Sequence, residues 1–239
     1  MVSRLFHFWA LRAADLTARA GLRYTSSQSS FKRVEGSGSK ETNWMHGVVS
    51  LLDDEHYALV EKIWDELERD FGVRGIYVTP FPHLSYQVAE GYDIDSVEAV
   101  LRETASESLP FKISTAGLGI FNVTHPVLYI PIVRSPALSA LHEKLWLRIP
   151  RVADSTATRH YQPEMWVPHI TLAHGDLDYA QLSAIVLAFS ERQFHWEINV
   201  NNLSMIYDTG TEQGLRCRFN FNGDGAHQTK PCAQATKED

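Results

Sequence analysis

Two stretches of the chain, Pro82-His83-Leu84-Ser85-Tyr86 and Pro168-His169-Ile170-Thr171-Leu172, repeat one order of residue types. Each runs proline, histidine, a branched aliphatic residue, a hydroxyl residue and a hydrophobic residue, and each precedes a turn and a segment of helical periodicity. Side chains alternate along a β-strand, so each stretch places its imidazole and its hydroxyl on one face. The repeat, offset by 86 positions, predicts two strands that line one cavity with two histidines and two hydroxyls.

These four side chains suit acid–base chemistry on a phosphate ester. Two histidines near neutral pKa can supply a base for the attacking water and an acid for the departing oxygen. The hydroxyls of Ser85 and Thr171 can donate hydrogen bonds to phosphoryl oxygens as negative charge develops there. The set therefore predicts hydrolysis of a strained phosphodiester such as a 2′,3′-cyclic phosphate, with no metal required. Taken singly, His83 or His169 could equally be a buried structural histidine, and the duplication is what favours catalysis.

The pair His83-Leu84-Ser85-Tyr86 and His169-Ile170-Thr171-Leu172 resembles the duplicated His-x-Thr/Ser-x signature of the 2H phosphoesterase superfamily, which includes 2′–5′ RNA ligase-like proteins and cyclic phosphodiesterases. The resemblance covers residues 45–207 and includes Trp166-Val167-Pro168 before the second motif. It implies an α+β fold of two pseudo-symmetric lobes, whose antiparallel sheets face a central cleft with the helices outside. Ser85 stands where threonine is commoner in the family, and the hydroxyl is retained.

The resemblance also implies an activity. We expect a metal-independent phosphodiesterase that hydrolyses 2′,3′-cyclic phosphates of RNA ends or small nucleotides, with His169 as general base, His83 as general acid and no cofactor. The site is pseudo-symmetric, so the two roles could be exchanged. Two alternatives stay open. One is a 2′–5′ RNA ligase or 2′–5′ phosphodiesterase that acts on oligonucleotides, and the other is a catalytically silent module that binds nucleotides or RNA.

Three aromatic residues near the motifs are candidates for stacking on a nucleobase, because aromatic faces bind unstacked bases. They are Tyr86, Tyr161 and Trp166, and core packing is an equal alternative for each. No metal site is predicted, since the motifs bring no clustered carboxylates or cysteines. His142-Glu143 also lacks the second histidine of a zinc-protease motif, because position 146 is Trp146.

Composition limits the partners of the chain. Its 239 residues carry a formal charge of −7 and two cysteines, which argues against a surface that grips duplex DNA and against a disulfide-rich secreted scaffold. No apolar run reaches the length of about 20 residues that a membrane span needs. We expect a monomer that acts in the cytoplasm on a small cyclic nucleotide or an RNA end.

The sequence divides into three segments. Residues 1–44 hold seven Lys or Arg against three acidic residues, together with Ser- and Gly-rich stretches. We expect them to form a basic extension that is either flexible or targets an organelle. Residues 45–210 are expected to form the phosphoesterase domain, and residues 211–239 to hold a strand end and a polar tail.

Periodicity and capping residues predict the order of elements within the domain. The predicted helices begin at Asp53 or Asp54, at a capping box formed by Asp95 and Glu98, at Ser135-Pro136 and near Asp178. The predicted strands are 46–52, a strand-like segment at 75–79, 83–88, 111–114, 119–121, 127–132, 169–172, 194–200 and 203–207. The stretch 148–168 lacks a clear period and is predicted to be a long loop.

Overall fold

The computed structural model describes residues 45–149 and 159–222. The basic extension 1–44 and the end of the polar tail lie outside the described residues, as does part of the predicted loop at 148–168. In the described part of the chain, α-helices are combined with antiparallel β-strands, which confirms the α+β fold class. No helix within those ranges is long and apolar enough to cross a bilayer.

The described residues form nine strands, four α-helices and one short 3₁₀ helix, joined by turns and loops. The strands are β1 (Met45–Leu51), β2 (His83–Glu90), β3 (Phe111–Ser114), β4 (Gly119–Phe121), β5 (Val127–Pro131), β6 (His169–Ala173), β7 (Glu197–Val200), β8 (Asn202–Asp208) and β9 (Gln213–Asn220). The α-helices are α1 (Asp54–Phe71), α2 (Ile94–Ser106), α3 (Pro136–Arg148) and α4 (Tyr179–Phe189), and the 3₁₀ helix is Gly75–Val78.

The first lobe is a four-stranded antiparallel sheet in the order β2-β1-β8-β9. Helix α2 packs against β8 and β9, and helix α3 packs against β2. Strand β2, which carries the first motif, lies at the edge of this sheet and pairs with β1. Strand β9 pairs with β8 along its length, so the segment after residue 210 contributes a whole strand to this lobe.

The second lobe holds a three-stranded sheet, β4-β5-β6, and a two-stranded sheet, β3-β7, all antiparallel. A bridge between Thr115 and Ile132 links the two. Strand β6, which carries the second motif, is also an edge strand, and helix α1 contacts both β6 and α4. The chain therefore crosses between the lobes, because α1 follows β1 in sequence but packs on β6, and α3 follows β5 but packs on β2.

One hydrophobic core extends through both lobes. The aliphatic residues between histidine and hydroxyl in the two motifs, Leu84 and Ile170, are both fully buried in it. Shifting either strand by one position would exchange its two faces, so this burial fixes which side chains are left on the opposite face. The core thus sets the orientation of both motifs.

Side-chain caps begin three of the helices where the sequence predicts them. Asp53 caps α1 and accepts the backbone N–H of His56 at 3.0 Å. Ser135 caps α3, with Pro136 at the first helical position. Asp178 caps α4 in a capping box with Gln181, so the start near Asp178 is confirmed.

The predicted capping box at Asp95 and Glu98 is wrong. Helix α2 begins earlier, because Asp93 is its N-cap and accepts the backbone N–H three residues further on. Gly91, with a φ of 69°, turns the chain directly after β2 and so brings Asp93 to the start of the helix. Glu98 instead forms an ion pair with Arg216 of β9 at 2.8 Å.

The segment 75–79, predicted to be strand-like, forms the 3₁₀ helix instead. Asp176 explains the difference, because its carboxylate accepts the backbone N–H groups of Arg74 at 2.7 Å and Gly75 at 2.8 Å. Asp176 lies in the turn after β6, 102 positions beyond Arg74. These two hydrogen bonds, which we call the Asp176 clamp, join the segment before the first motif to the turn after the second.

The Asp176 clamp leaves no room for a side chain at position 75, and we predict that Gly75→Ala destabilises the protein. An added Cβ would collide with the backbone oxygen of His174, which cannot move away by changing rotamer. Overpacking costs about 1–3 kcal/mol, and the free energy of unfolding in urea should fall by about that amount. Gly47→Ala is the control, since its nearest neighbour would be a side-chain atom of Ile206 at 3.1 Å, which can shift. Equal effects of the two substitutions would contradict the close approach.

Candidate active site

The two motif strands, β2 and β6, are edge strands of different sheets and contact each other. The histidine and hydroxyl of each motif are partly exposed, whereas the residues that alternate with them are buried. The partly exposed set consists of His83, Ser85, His169 and Thr171. The structure therefore brings the two motifs together and leaves their polar side chains out of the core.

Each motif strand carries a β-bulge at the same place. The pairing of β2 with β1 skips Tyr86, and the pairing of β6 with β5 skips Leu172. Both skipped residues are the fourth of their motif and follow the hydroxyl residue directly. A bulge bends the strand and redirects the side chains around it, and here both fourth residues point into the core. The likeness of the two motifs thus extends from sequence to backbone geometry.

Both imidazoles are fixed by the same kind of hydrogen bond. His83 Nδ1 bonds the backbone oxygen of Phe81, and His169 Nδ1 lies 2.7 Å from the backbone oxygen of Val167. In each case the acceptor lies two residues before the histidine, across a proline. A carbonyl can only accept, so Nδ1 carries the proton and Nε2 is the acceptor of each neutral ring. That tautomer is the one a general base acting through Nε2 requires.

Two tryptophans hold the backbone of the motifs. Trp166 Nε1 donates to the backbone oxygen of Ser85 at 3.0 Å, and Trp64 Nε1 donates to that of Thr171 at 3.3 Å. Because β2 and β6 lie at sheet edges, the indoles serve as donors where a further strand would otherwise pair. Trp166 lies just before the second motif but bonds the first, so it links the two motifs directly.

Burial lowers the pKa of both histidines. For His169, burial is the largest cause, and the charge of His83 adds to it against the hydrogen bond to Val167, so that the pKa is lowered to about 4. For His83, burial lowers the pKa against the hydrogen bond to Phe81. The effect of His83 on His169 shows that the rings lie near enough to interact. Both rings are therefore neutral at pH 7, and an anion bound beside them would raise both pKa values.

A third histidine, His174, follows β6 and is half-buried. Burial lowers its pKa to about 4, with Asp176 raising and His83 lowering it to lesser extents. His174 therefore lies within electrostatic reach of His83. His174 lies outside the four-residue motif, two positions beyond Leu172.

The three aromatic residues predicted as base-stacking candidates occupy different environments. Tyr86 and Trp166 are 1% and 3% exposed, and their ring centroids lie 5.9 Å apart. Their position supports core packing, the alternative role, because neither ring presents an open face to a base. Tyr161 is half-buried, and its hydroxyl lies near the side chain of Ser85. Burial raises the pKa of Tyr161 to about 12, so this hydroxyl stays protonated.

Sequence reasoning missed two aromatic residues that contact His169. The rings of Phe121 on β4 and Tyr129 on β5 have centroids 5.0 and 5.1 Å from that of the imidazole. Both strands are predicted from the sequence, but the pairing of β4 with β5 and of β5 with β6 is not. Only the pairing shows which alternate residues share a face with the second motif.

The sequence predicts no metal site, and the side chains that could hold a metal ion can be located in the structure. Within residues 45–149 and 159–222, no group of three or more His, Cys, Asp or Glu side chains is placed to hold a metal ion. His142 lies flat against Trp166 instead, with ring centroids 3.8 Å apart and planes 8° apart. It is 1% exposed and belongs to the core behind the first motif.

The fold and the paired motifs are those of a known family. A family model described as the 2′-5′ RNA ligase superfamily matches residues 52–212, a range that includes both motifs. The chain therefore belongs to the 2′-5′ RNA ligase superfamily, and the resemblance to 2H phosphoesterases seen in its motifs is confirmed.

Individual relatives agree with this assignment. A candidate phosphoesterase of Bacillus cereus strain B4264 is 24% identical over 129 residues, which cover 53% of this chain and 70% of the relative. Another, from Bacillus cytotoxicus, is 23% identical over 134 residues, which cover 55% and 73%. The crystal structure of TT0787 of Thermus thermophilus aligns with a TM-score of 0.53 at 16% identity, over 75% of this chain and 99% of that protein. The TT0787 structure supports the fold, and the two Bacillus relatives support phosphoesterase activity.

The buried ring of His142 makes stability depend on pH. Burial is the largest cause that lowers its pKa to about 4, whereas the unfolded chain titrates near its ordinary value. Between these values the unfolded state binds the extra proton, so this residue reduces stability as pH falls from about 6.5 towards about 4. We predict that His142→Phe, which keeps a ring against Trp166, reduces the loss of unfolding free energy between pH 7.5 and pH 5 by on the order of 2 kcal/mol.

Urea unfolding of both proteins at the two pH values measures this difference. Other buried histidines titrate in both proteins, so the comparison isolates position 142. An unchanged pH dependence in the variant would contradict the lowered pKa.

Proposed function

We propose that this protein is a metal-independent phosphodiesterase that opens 2′,3′-cyclic phosphates of RNA ends or small nucleotides. The observation that carries the proposal is the matched orientation of two histidines. Each Nδ1 is tied to a carbonyl, which leaves each Nε2 available for proton transfer. The contact between their strands, and the effect of the charge of one on the pKa of the other, support joint action on one phosphate.

In the proposed reaction His169 is the general base and His83 the general acid. The lowered pKa of His169 keeps its ring neutral and able to accept a proton. Its Nε2 removes a proton from water as the water oxygen bonds to phosphorus. His83, protonated when the anionic phosphate is bound, gives its Nε2 proton to the ribose oxygen as the P–O bond breaks. The product is a phosphomonoester, and proton exchange with solvent restores both rings.

Ser85 and Thr171 hold the phosphoryl oxygens in this proposal. Each lies two residues after its histidine on the same strand and is partly exposed. Their hydroxyls can donate to the non-bridging oxygens as negative charge builds in the transition state.

A substrate panel tests the reaction class. It contains nucleoside 2′,3′-cyclic phosphates, ADP-ribose cyclic phosphate and 2′–5′ linked dinucleotides, each assayed in EDTA because no step uses a metal ion. Conversion of a cyclic phosphate to a phosphomonoester supports the proposal. Turnover of 2′–5′ linkages alone, binding without turnover, or activity that chelation abolishes and a divalent ion restores would each contradict it.

Substitution of the four site residues should have unequal effects on kcat/KM for the cyclic phosphate. His83→Ala and His169→Ala each remove a proton-transfer group and should lower it by about 10²–10⁴-fold. The double variant should lose little more than either single one, because residues that act as a unit are not additive. Ser85→Ala and Thr171→Ala each remove one donor and should cost about 10²-fold.

His195→Ala is the matched control, since His195 is exposed and lies on neither motif. It should retain the activity of the wild-type protein. A His83→Ala variant with near wild-type turnover would refute the paired mechanism, even with the fold intact.

A further inference from the structure

Two aromatic rings lie directly beside His169. Phe121 and Tyr129 lie stacked, with centroids 4.1 Å apart and planes 26° apart. The imidazole of His169 meets the Phe121 ring nearly at a right angle, 82°, and meets Tyr129 at 59°. We call these two residues the aromatic pair. No part of the proposed proton transfer uses them.

The aromatic pair lies on the same face as Thr171 and outside the core. Tyr129 is directly opposite Thr171 in the pairing of β5 with β6, and residues directly opposite share a face. Gly119 is opposite Tyr129 in turn, and Phe121 lies two positions after Gly119 on the same face. Both rings are partly exposed. The two rings therefore continue the face that carries His169 and Thr171 across the neighbouring strands β5 and β4.

Gly119 is what lets the Tyr129 ring lie across the sheet. A Cβ at position 119 would overlap the ring of Tyr129. Glycine weakens a strand and often marks a place where another group approaches closely. Here the approaching group is an aromatic ring, which the neighbouring strand thus holds in one orientation beside the candidate site.

We propose that the aromatic pair is the nucleobase subsite of this protein, and that it takes the base of the nucleotide whose phosphate lies between the histidines. The inference rests on the proposed function. A base is joined to that phosphate through a single ribose, so a site next to His169 is within its reach. Aromatic side chains bind bases by stacking, which tolerates any base because every base has a π-face.

The aromatic pair offers a place for a nucleobase, which the buried candidates predicted from the sequence do not. Tyr86 and Trp166 are buried among core residues, whereas the aromatic pair is partly exposed on the same face as Thr171. Burial raises the pKa of Tyr129, so its hydroxyl stays protonated at neutral pH and can donate to a polar edge of the base. Stacking gives affinity without strong discrimination, and the hydroxyl would add a modest preference among bases.

The test compares ligands with and without a base. Calorimetry measures binding of adenosine 2′-monophosphate and of the 2′-phosphate of methyl riboside, which keeps the sugar and phosphate but has no base. The wild-type protein should prefer the adenosine compound by about 5- to 100-fold, the range expected for one stacked base. Phe121→Leu and Tyr129→Leu should bring that ratio towards one, because leucine fills space but has no π-face. Tyr129→Phe should retain most of it.

Phe111→Leu is the matched control, since Phe111 stacks on Phe221 at a different place in the fold. It should keep the wild-type ratio. Equal losses for both ligands in the Phe121 and Tyr129 variants would overturn the inference and assign the rings to packing around His169. A wild-type ratio near one would also overturn it.

Binding and turnover separate the two proposals. A base preference that depends on the aromatic pair, in a protein that turns over no cyclic phosphate, would uphold the subsite and reject the proposed reaction. Turnover without a base preference would do the reverse. Absence of both binding and turnover would reject both.

Discussion

The hydrogen bond from each motif histidine to the carbonyl two residues before it is the constraint on which the site depends. It fixes the ring against its own backbone and places the proton on Nδ1. The intervening proline removes a backbone N–H and holds its own φ near −65°. The backbone between the carbonyl and the imidazole therefore has few alternative conformations. Nε2 of each ring is thereby available for chemistry. The rest of the fold brings two such units together.

The surrounding structure holds these units in register through bonds that cross between them. The Trp166 indole, which precedes the second motif, donates to the backbone of the first. The Asp176 clamp, which follows the second motif, fixes the segment before the first. Helices α1 and α3 pack on the lobe opposite to the strand they follow. Relative movement of the lobes would break these contacts, which therefore hold the two motifs together.

The two halves of the site have the same backbone but different surroundings. Tyr161 lies near the hydroxyl of the first motif, and the aromatic pair contacts the histidine of the second. The motifs alone are nearly symmetric, and these surroundings are what make the two histidines unlike. With the proposed base subsite, they also give the substrate a direction across the site.

Local sequence was enough to predict the features that depend on neighbouring residues. Alternation within each motif predicted which side chains leave the core, and Ser135 and Asp178 predicted two helix starts because a cap acts within one turn. Features that depend on distant residues were not predictable in this way. The 3₁₀ helix at Gly75–Val78 requires a carboxylate 102 positions beyond Arg74. The aromatic pair requires the register of β4, β5 and β6.

The central claim is that both histidines act on one phosphate, and side-chain nitrogen NMR of His83 and His169 during titration with adenosine 2′-monophosphate tests it most directly. An anion between the rings favours the charged form of each, so both pKa values should rise. We expect the Nε2 signals of both residues to shift along one saturation curve. A response from only one histidine, or responses that saturate at different ligand concentrations, would contradict it.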